Sequence, residues 1–275
     1  MSIGIDYLAP YAAEIHLTYR CDLACRTCNR ACFVKPAPAG DMTVEAFEYF
    51  LRESVRLSLP LKYIILLGGE PTLHRDFPRF VSLARDYVQA RGLGGQVEIF
   101  SNGFGSGTRQ LLDEIKKRQD PLCSVIDWTM KPAGSVEFAM NTMYVSPVDV
   151  GLPRQAPCPW HHFWPYADRF TKRINCGISV DSQGYTICPL GGTISRVIAP
   201  HALTRQLKDL LDRDFTAWQT NELCRHCGCN MEFPPEVLKD VPRVAGMLMS
   251  HTWAEGFKRL EREGLRLVDG LAKSP

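Results

Sequence analysis

Polar and apolar positions along the first half of the chain predict a repeating series of elements. Glu14 to Tyr19 reads as a short strand, with Ile15 to Tyr19 as its apolar run. Tyr63-Ile-Ile-Leu-Leu67 is a continuous apolar run of strand length, the pattern of a strand covered on both faces of a parallel sheet. Gln96 to Phe100 alternates and runs into Ser101-Asn102-Gly103. Ser124 to Met130 and Phe138 to Val145 are expected as a fourth and fifth strand.

Helical patterns separate these runs. Thr43 is placed to cap a helix carrying Phe47, Phe50, Leu51, Val55 and Leu57 on one stripe, which stops before Pro60. Asp76 to Ala90 and Thr108 to Arg118 are the next two helices. Strands and helices alternating at this spacing mean βα units around a parallel sheet. Only Lys131 to Glu137 separate the last two strands, too few residues for a crossover helix. Either the barrel is trimmed there or one of those strands is misplaced.

The second half is patterned differently. Ser146 to Tyr166 is rich in proline and aromatics and reads as a structured loop. Ile178 and Val180, then Tyr185 and Ile187, flank Asp181-Ser-Gln-Gly184, which predicts a β-hairpin. Leu203 to Leu211 is expected as a helix, and Pro234 to Leu267 as two helices with a charged, solvated face.

Composition narrows the function classes. The chain has 275 residues, is 45% apolar and has a formal net charge of +2 with no basic block. That supplies a full core and argues against a nucleic-acid surface as its main feature. The 11 cysteines are odd in number and clustered, unlike a disulfide framework. No secretory signal and no bilayer-length apolar run occurs, so a reducing cytoplasm and no membrane are expected.

The clustered cysteines carry the chemistry. Cys21, Cys25 and Cys28 form C-x3-C-x2-C directly after the first strand. Three thiolates on one loop can hold three corners of a 4Fe–4S cluster, whose usual ligand set is four, leaving one iron open to a small molecule. The same spacing, continued by Cys32, would also put four thiols on one helix face. Gly68-Gly69-Glu70-Pro71 closes the second strand and Ser101-Asn102-Gly103 the third. Each is either a turn or a ligand-binding strand end. Gly103, Gly105 and Gly107 miss the dinucleotide register, because Thr108 takes the place of the last glycine. Further on, Cys176 and Cys188 bracket the hairpin and Cys224-Arg-His-Cys227-Gly-Cys229 forms a knuckle. Two plus two cysteines suit an iron–sulfur cluster or a structural zinc. Cys229 or Cys158 could replace one of the four, and Cys32 and Cys123 read as plain buried thiols.

On these motifs the chain resembles the radical S-adenosylmethionine (SAM) superfamily, whose cluster loop is C-x3-C-x-aromatic-C. Thr27 stands at the usual aromatic position. The resemblance implies a partial, open (β/α) TIM-like barrel, class α/β, with a small C-terminal hairpin-and-knuckle cluster domain. It implies that Cys21, Cys25 and Cys28 hold the SAM-binding 4Fe–4S cluster. Gly68, Gly69, Glu70 and Pro71 would receive SAM's methionine end, and Ser101 and Asn102 would add polar contacts to SAM or substrate. The C-terminal part resembles the twitch domain, the short form of the SPASM extension. That likeness implies a second, auxiliary 4Fe–4S cluster on Cys176, Cys188, Cys224 and Cys227. The domain organisation expected is 1–170 barrel, 171–233 auxiliary-cluster domain and 234–275 helical tail.

The implied chemistry is cleavage of SAM to a 5′-deoxyadenosyl radical that abstracts hydrogen from a small polar metabolite, such as a cyclitol or sugar. Two-electron oxidation follows, with the auxiliary cluster as acceptor and a flavodoxin or ferredoxin as electron donor. The alternatives are modification of a ribosomally made peptide and a non-catalytic zinc or redox module. The ten residues before the first strand are too few for a leader-binding module, so the peptide reading calls for a partner protein. His161, His162, Trp160 and Trp164 are expected as loop packing or pocket lining, and Arg154, Lys131 and Asn141 as candidate substrate contacts.

Overall fold

A computed structural model describes residues 12–25, 28–37, 39–127, 142–153, 177–229, 231 and 233–267. Its centre is a six-stranded sheet in the order β5-β4-β3-β1-β6-β7. The strands are β1 (Ala12–Thr18), β3 (Tyr63–Gly68), β4 (Gln96–Ser101), β5 (Cys123–Asp127), β6 (Ile178–Asp181) and β7 (Gly184–Thr186), with a short β2 (Val34–Lys35) outside this sheet. β1, β3, β4, β5 and β6 run parallel, and β7 returns antiparallel to β6. The predicted hairpin therefore forms, and its first strand joins the main sheet beside β1.

Strand alternation explains the layering. Ala13, Ile15 and Leu17 of β1 share one face with Ile64, Leu66, Val97, Ile99, Ile178 and Val180. That face packs on Phe47 and Phe50 of α1 (Val44–Arg56), Phe77 and Phe80 of α2 (Phe77–Arg91) and Leu112 of α3 (Ser106–Lys117). Thr43 caps α1 as expected: its hydroxyl accepts the Ala46 N–H at 3.1 Å. α2 ends at Gly92, which takes the left-handed conformation (φ 60°) that favours glycine.

Two expected elements differ. Thr142–Val145 is a turn and not the end of a fifth strand, while 138–141 lie outside the described residues. The Val145 N–H closes onto the Thr142 carbonyl, and Tyr144 is buried in a second core, so this segment serves packing and not a ladder. Leu203–Leu211 is not one helix. Thr204 bridges Tyr185 of β7, accepting its N–H at 2.7 Å, and only Leu207–Leu211 coils into a 3-10 turn. The open edge of β7 captures the segment before it can coil.

The second core lies beyond the hairpin. It gathers Phe33 and Tyr144 with residues of α4 (Gly191–Val197), α5 (Arg213–Cys224) and α7 (His251–Arg262). Both helices expected after Pro234 are present, as a one-turn α6 (Pro235–Leu238) and α7. α7 is more than a solvated helix. Trp253, Phe257 and Leu260 fill this core, and Arg266–Leu267 pair with β2. Among the described residues no helix is long and apolar enough to cross a membrane.

A buried ion pair joins the hairpin to the rest. Arg196 of α4 meets Asp181 at 3.3 Å, with side chains 3% and 1% exposed. The Tyr19 hydroxyl donates to the same carboxylate at 3.0 Å, and the guanidinium lies 3.6 Å over the Tyr19 ring. It also donates to the Arg30 carbonyl at 3.2 Å. Breaking such a pair leaves an uncompensated buried charge. Arg196→Met should therefore cost about 3–5 kcal/mol in a denaturant titration. Arg75→Met, which removes the exposed partner of Asp76, should cost less than about 1 kcal/mol. Equal losses in the two variants would mean that the buried pair has no special role.

Candidate active site

The site is assembled where three parallel strands end. β1 leads into the cysteine loop, β3 into Gly68-Gly69-Glu70-Pro71 and β4 into Ser101-Asn102-Gly103. The end of β3 crosses the start of the cysteine loop at very close range. The Gly69 N–H donates to the Thr18 carbonyl at 2.7 Å and the Glu70 N–H to the Arg20 carbonyl at 2.9 Å. A Cβ at Gly68 would lie 2.2 Å from the Thr18 oxygen, and one at Gly69 would lie 2.1 Å from the Arg20 oxygen. Both glycines are thus required by this crossing, whatever ligand they also serve.

Glu70 is fully buried and links all three strand ends. Its carboxylate accepts the Ser101 hydroxyl at 2.9 Å, the Asn102 N–H at 2.8 Å, and the Thr72 hydroxyl and N–H at 2.8 and 3.2 Å. Burial raises its pKa, and these donors work against that rise. Asn102 passes the connection on. Its amide donates to Asp22 at 2.8 Å and to the Cys21 sulfur at 3.6 Å. The sequence marked Ser101, Asn102 and Glu70 as ligand contacts. In the structure these polar groups also bind one another and the cysteine loop. Asp22 and Thr72 were not singled out, and only their neighbours in the motifs could have flagged them.

None of the described residues between Cys21 and Cys32 is helical, so the one-face alternative for these cysteines does not hold. The thiols sit in unlike surroundings. Burial, followed by Cys28, pushes Cys21 up to about 12. Cys28 is brought down to about 6, chiefly because the Cys32 thiol donates a hydrogen bond to it, against the opposing effect of burial. Cys32 is therefore a partner of Cys28 and more than a filler of space. The Leu23 N–H at 3.4 Å and the Asn102 amide aim donors at the Cys21 sulfur. Soft sulfur donors held among N–H groups fit a thiolate-ligated iron–sulfur cluster. Among the described residues no three histidine, cysteine or acidic side chains are drawn together in metal-binding geometry.

The second cysteine set meets the first across the second core. Cys188 follows β7, Cys224 closes α5, and Cys227 and Cys229 lie just beyond. Cys28, Cys188 and Cys227 pack against the core that buries Cys229. Cys227 donates to Cys229, and this bond with burial pushes its pKa well up, Cys188 adding to the effect. The loop is held from outside: the Trp253 indole N–H donates to the His226 carbonyl at 2.9 Å, and the Thr142 hydroxyl to the Gly228 carbonyl at 2.9 Å. Cys176 and Cys158 lie outside the described residues, as do Lys131, Asn141, Arg154, Trp160, His161, His162 and Trp164.

Comparison with known proteins agrees with the strand-end motifs. Residues 15–124 match the family model of the Radical SAM superfamily. This part of the chain is a radical SAM domain. Over 93 residues the chain is 30% identical to an S-adenosylmethionine-dependent nucleotide dehydratase of Selenomonas ruminantium, covering 34% of this chain and 30% of the relative. The chain thus spans under a third of that relative's length. Among solved structures, BtrN in complex with AdoMet and 2-DOIA is similar at a TM-score of 0.46 and 15% identity, over 79% of this chain and 92% of that one. Streptococcus suis SuiB bound to S-adenosylmethionine has a TM-score of 0.30 and 19% identity, over 43% of this chain and 23% of its own. A radical SAM domain implies a 4Fe–4S cluster and SAM. The mixed α/β sheet with its parallel strands is consistent with a radical SAM partial barrel.

The Glu70 hub has a measurable consequence. Glu70→Ala leaves the buried Ser101 hydroxyl and the Asn102 N–H without an acceptor, each at about 1–3 kcal/mol. Glu70→Gln sets an N–H2 against those donors. Both variants should lower the unfolding midpoint and the iron bound per chain after anaerobic reconstitution. Full iron content and an unchanged midpoint in both would show that the strand ends hold together without the carboxylate.

Proposed function

We propose that the chain is a radical SAM oxidoreductase acting on a small polar metabolite. The observation that supports this most is the joining of the cysteine loop, the Gly-Gly-Glu-Pro turn and the Ser-Asn-Gly turn through Glu70 and Asn102. In this reading Cys21, Cys25 and Cys28 hold a 4Fe–4S cluster, and Gly68 to Pro71 with Ser101 and Asn102 receive SAM. Cys176, Cys188, Cys224 and Cys227 hold an auxiliary cluster in a twitch-like unit, and a flavodoxin or ferredoxin supplies electrons. When bound, the first cluster would supply the electron for reductive cleavage of SAM and so for hydrogen abstraction from the substrate, and the auxiliary cluster would accept the second substrate electron, the proton lost as a carbonyl forms passing to solvent.

The residues of the chain supply the setting for that chemistry. Asn102 and the Leu23 N–H steady the Cys21 sulfur. Lys35 donates to the Cys21 carbonyl at 3.0 Å, and the Tyr144 hydroxyl donates to the Cys28 carbonyl, so both ends of the loop are anchored. The buried Glu70 holds the turn that would carry SAM at a constant offset from the loop.

A second reading, a redox-neutral elimination, draws support from the likeness to the nucleotide dehydratase. The product separates the two. Oxidation gives a substrate two hydrogens lighter, and elimination gives one lighter by a water. Cys25→Ala should abolish 5′-deoxyadenosine formation after anaerobic reconstitution. Persisting SAM cleavage in that variant would overturn the ligand assignment. Two clusters require about eight irons per chain, whereas about four irons and one zinc would make the C-terminal site structural.

A further inference from the structure

The sheet has a second face, turned away from α1, α2 and α3, and its polar residues fall in register. On β1 that face carries Glu14 and His16. Glu14 pairs with Ile65, Ile65 with Glu98, and Glu98 with Ser124, while on the other side Glu14 pairs with Ser179. Paired residues in a parallel sheet point the same way, so these form one row across the face. His16, beside Leu67, is one rung closer to the end of β1 where the cysteine loop begins.

Two acids of this face are accounted for. Arg30 pairs with Glu14, and Arg196 with Asp181. Two neutral side chains are not, and the Nε of Arg196 is also left without a partner among the described residues. Both ring nitrogens of His16, 1% exposed, and the hydroxyl of Ser179, 2% exposed, have no hydrogen-bond partner among the described residues. Buried polar groups are nearly always paired, and each unpaired one costs about 1–3 kcal/mol. The His16 ring is also oriented, stacked on Tyr19 at 5.5 Å between centroids. Burial, with Arg30 and Arg196 nearby, keeps it neutral, so it offers one N–H and one lone pair.

We propose that His16 and Ser179 bind an uncharged, hydroxyl-bearing part of the substrate on this inner face, an inference that rests on the radical SAM reading above. A hydroxyl both donates and accepts, which matches a neutral imidazole and a serine. A phosphate would want a spare cation, and both guanidiniums on this face pair with carboxylates, Arg196 keeping only its Nε unpartnered. An ammonium would want a spare anion, and the two carboxylates on the strands that carry His16 and Ser179, Glu14 and Asp181, already serve arginines. On β1 and β6 the acids and arginines are thus paired, and the neutral His16 and Ser179 are left for a ligand.

The test is calorimetric titration of the full-length, anaerobically reconstituted protein with SAM present. The probes are myo-inositol, glucose, glucosamine and glucose 6-phosphate. A neutral polyol should bind, more tightly than the charged sugars. His16→Asn and Ser179→Ala should each weaken it about tenfold, the worth of one hydrogen bond. Should circular dichroism show His16→Asn unfolded, Ser179→Ala, which removes only a hydroxyl, decides. No polyol binding, tighter binding of either charged sugar, or wild-type affinity in the variants overturns the inference. Iron content and 5′-deoxyadenosine formation are measured on the same preparation. Wild-type protein that cleaves SAM but binds no polyol refutes this inference alone. Protein without iron or SAM cleavage refutes the family-based reading and this one with it.

Discussion

A single buried carboxylate sets the geometry at the carboxyl ends of the sheet. Glu70 accepts donors from its own turn and from the end of β4, and its backbone N–H is tied to the chain leaving β1. Buried carboxylates are costly unless surrounded by donors, and here the donors are the motif residues themselves. The three turns consequently behave as one unit. Asn102 extends that unit to the sulfur of Cys21, so the position of the first cysteine depends on the ends of strands far away in sequence.

A second set of constraints comes from the far half of the chain. β6 lies against β1, on the side opposite β3, and this places the hairpin within the sheet. The Asp181–Arg196 pair, with Tyr19 against both, then locks the hairpin to the segment carrying Cys21 and Cys28. Tyr144, Trp253 and Phe257 fill the space between the two cysteine groups with edge-on and stacked rings. The tail is thus a wall of the site region, and its burial ties stability to the cysteine geometry.

The two faces of the sheet divide the work. One is apolar and carries the helices. The other holds the ion pairs Glu14–Arg30 and Asp181–Arg196, together with the neutral His16 and Ser179. The proposed reaction would need its substrate held close to SAM with water kept away, and a buried surface beside the start of the cysteine loop has that character.

Local signals determined a good deal. The Thr43 cap, the apolar run at Tyr63, the left-handed glycine after α2 and the D-S-Q-G turn are short-range devices, so the strands, helices and hairpin were legible, as were the cysteine spacing and the strand-end motifs. What tertiary structure decided is every pairing made at long range. Thr204 was drawn to β7 instead of coiling, because an open strand edge offers hydrogen bonds that a local pattern does not record. Thr142–Val145 became a turn because Tyr144 was needed in a core. β6 found β1 across most of the chain, and only that register set Ser179 beside Glu14 and aligned both with Glu98. Glu70 was visible as a motif residue, but its role as a hub was not, since its partners at Ser101 and Asn102 come together with it only when β3 and β4 pair.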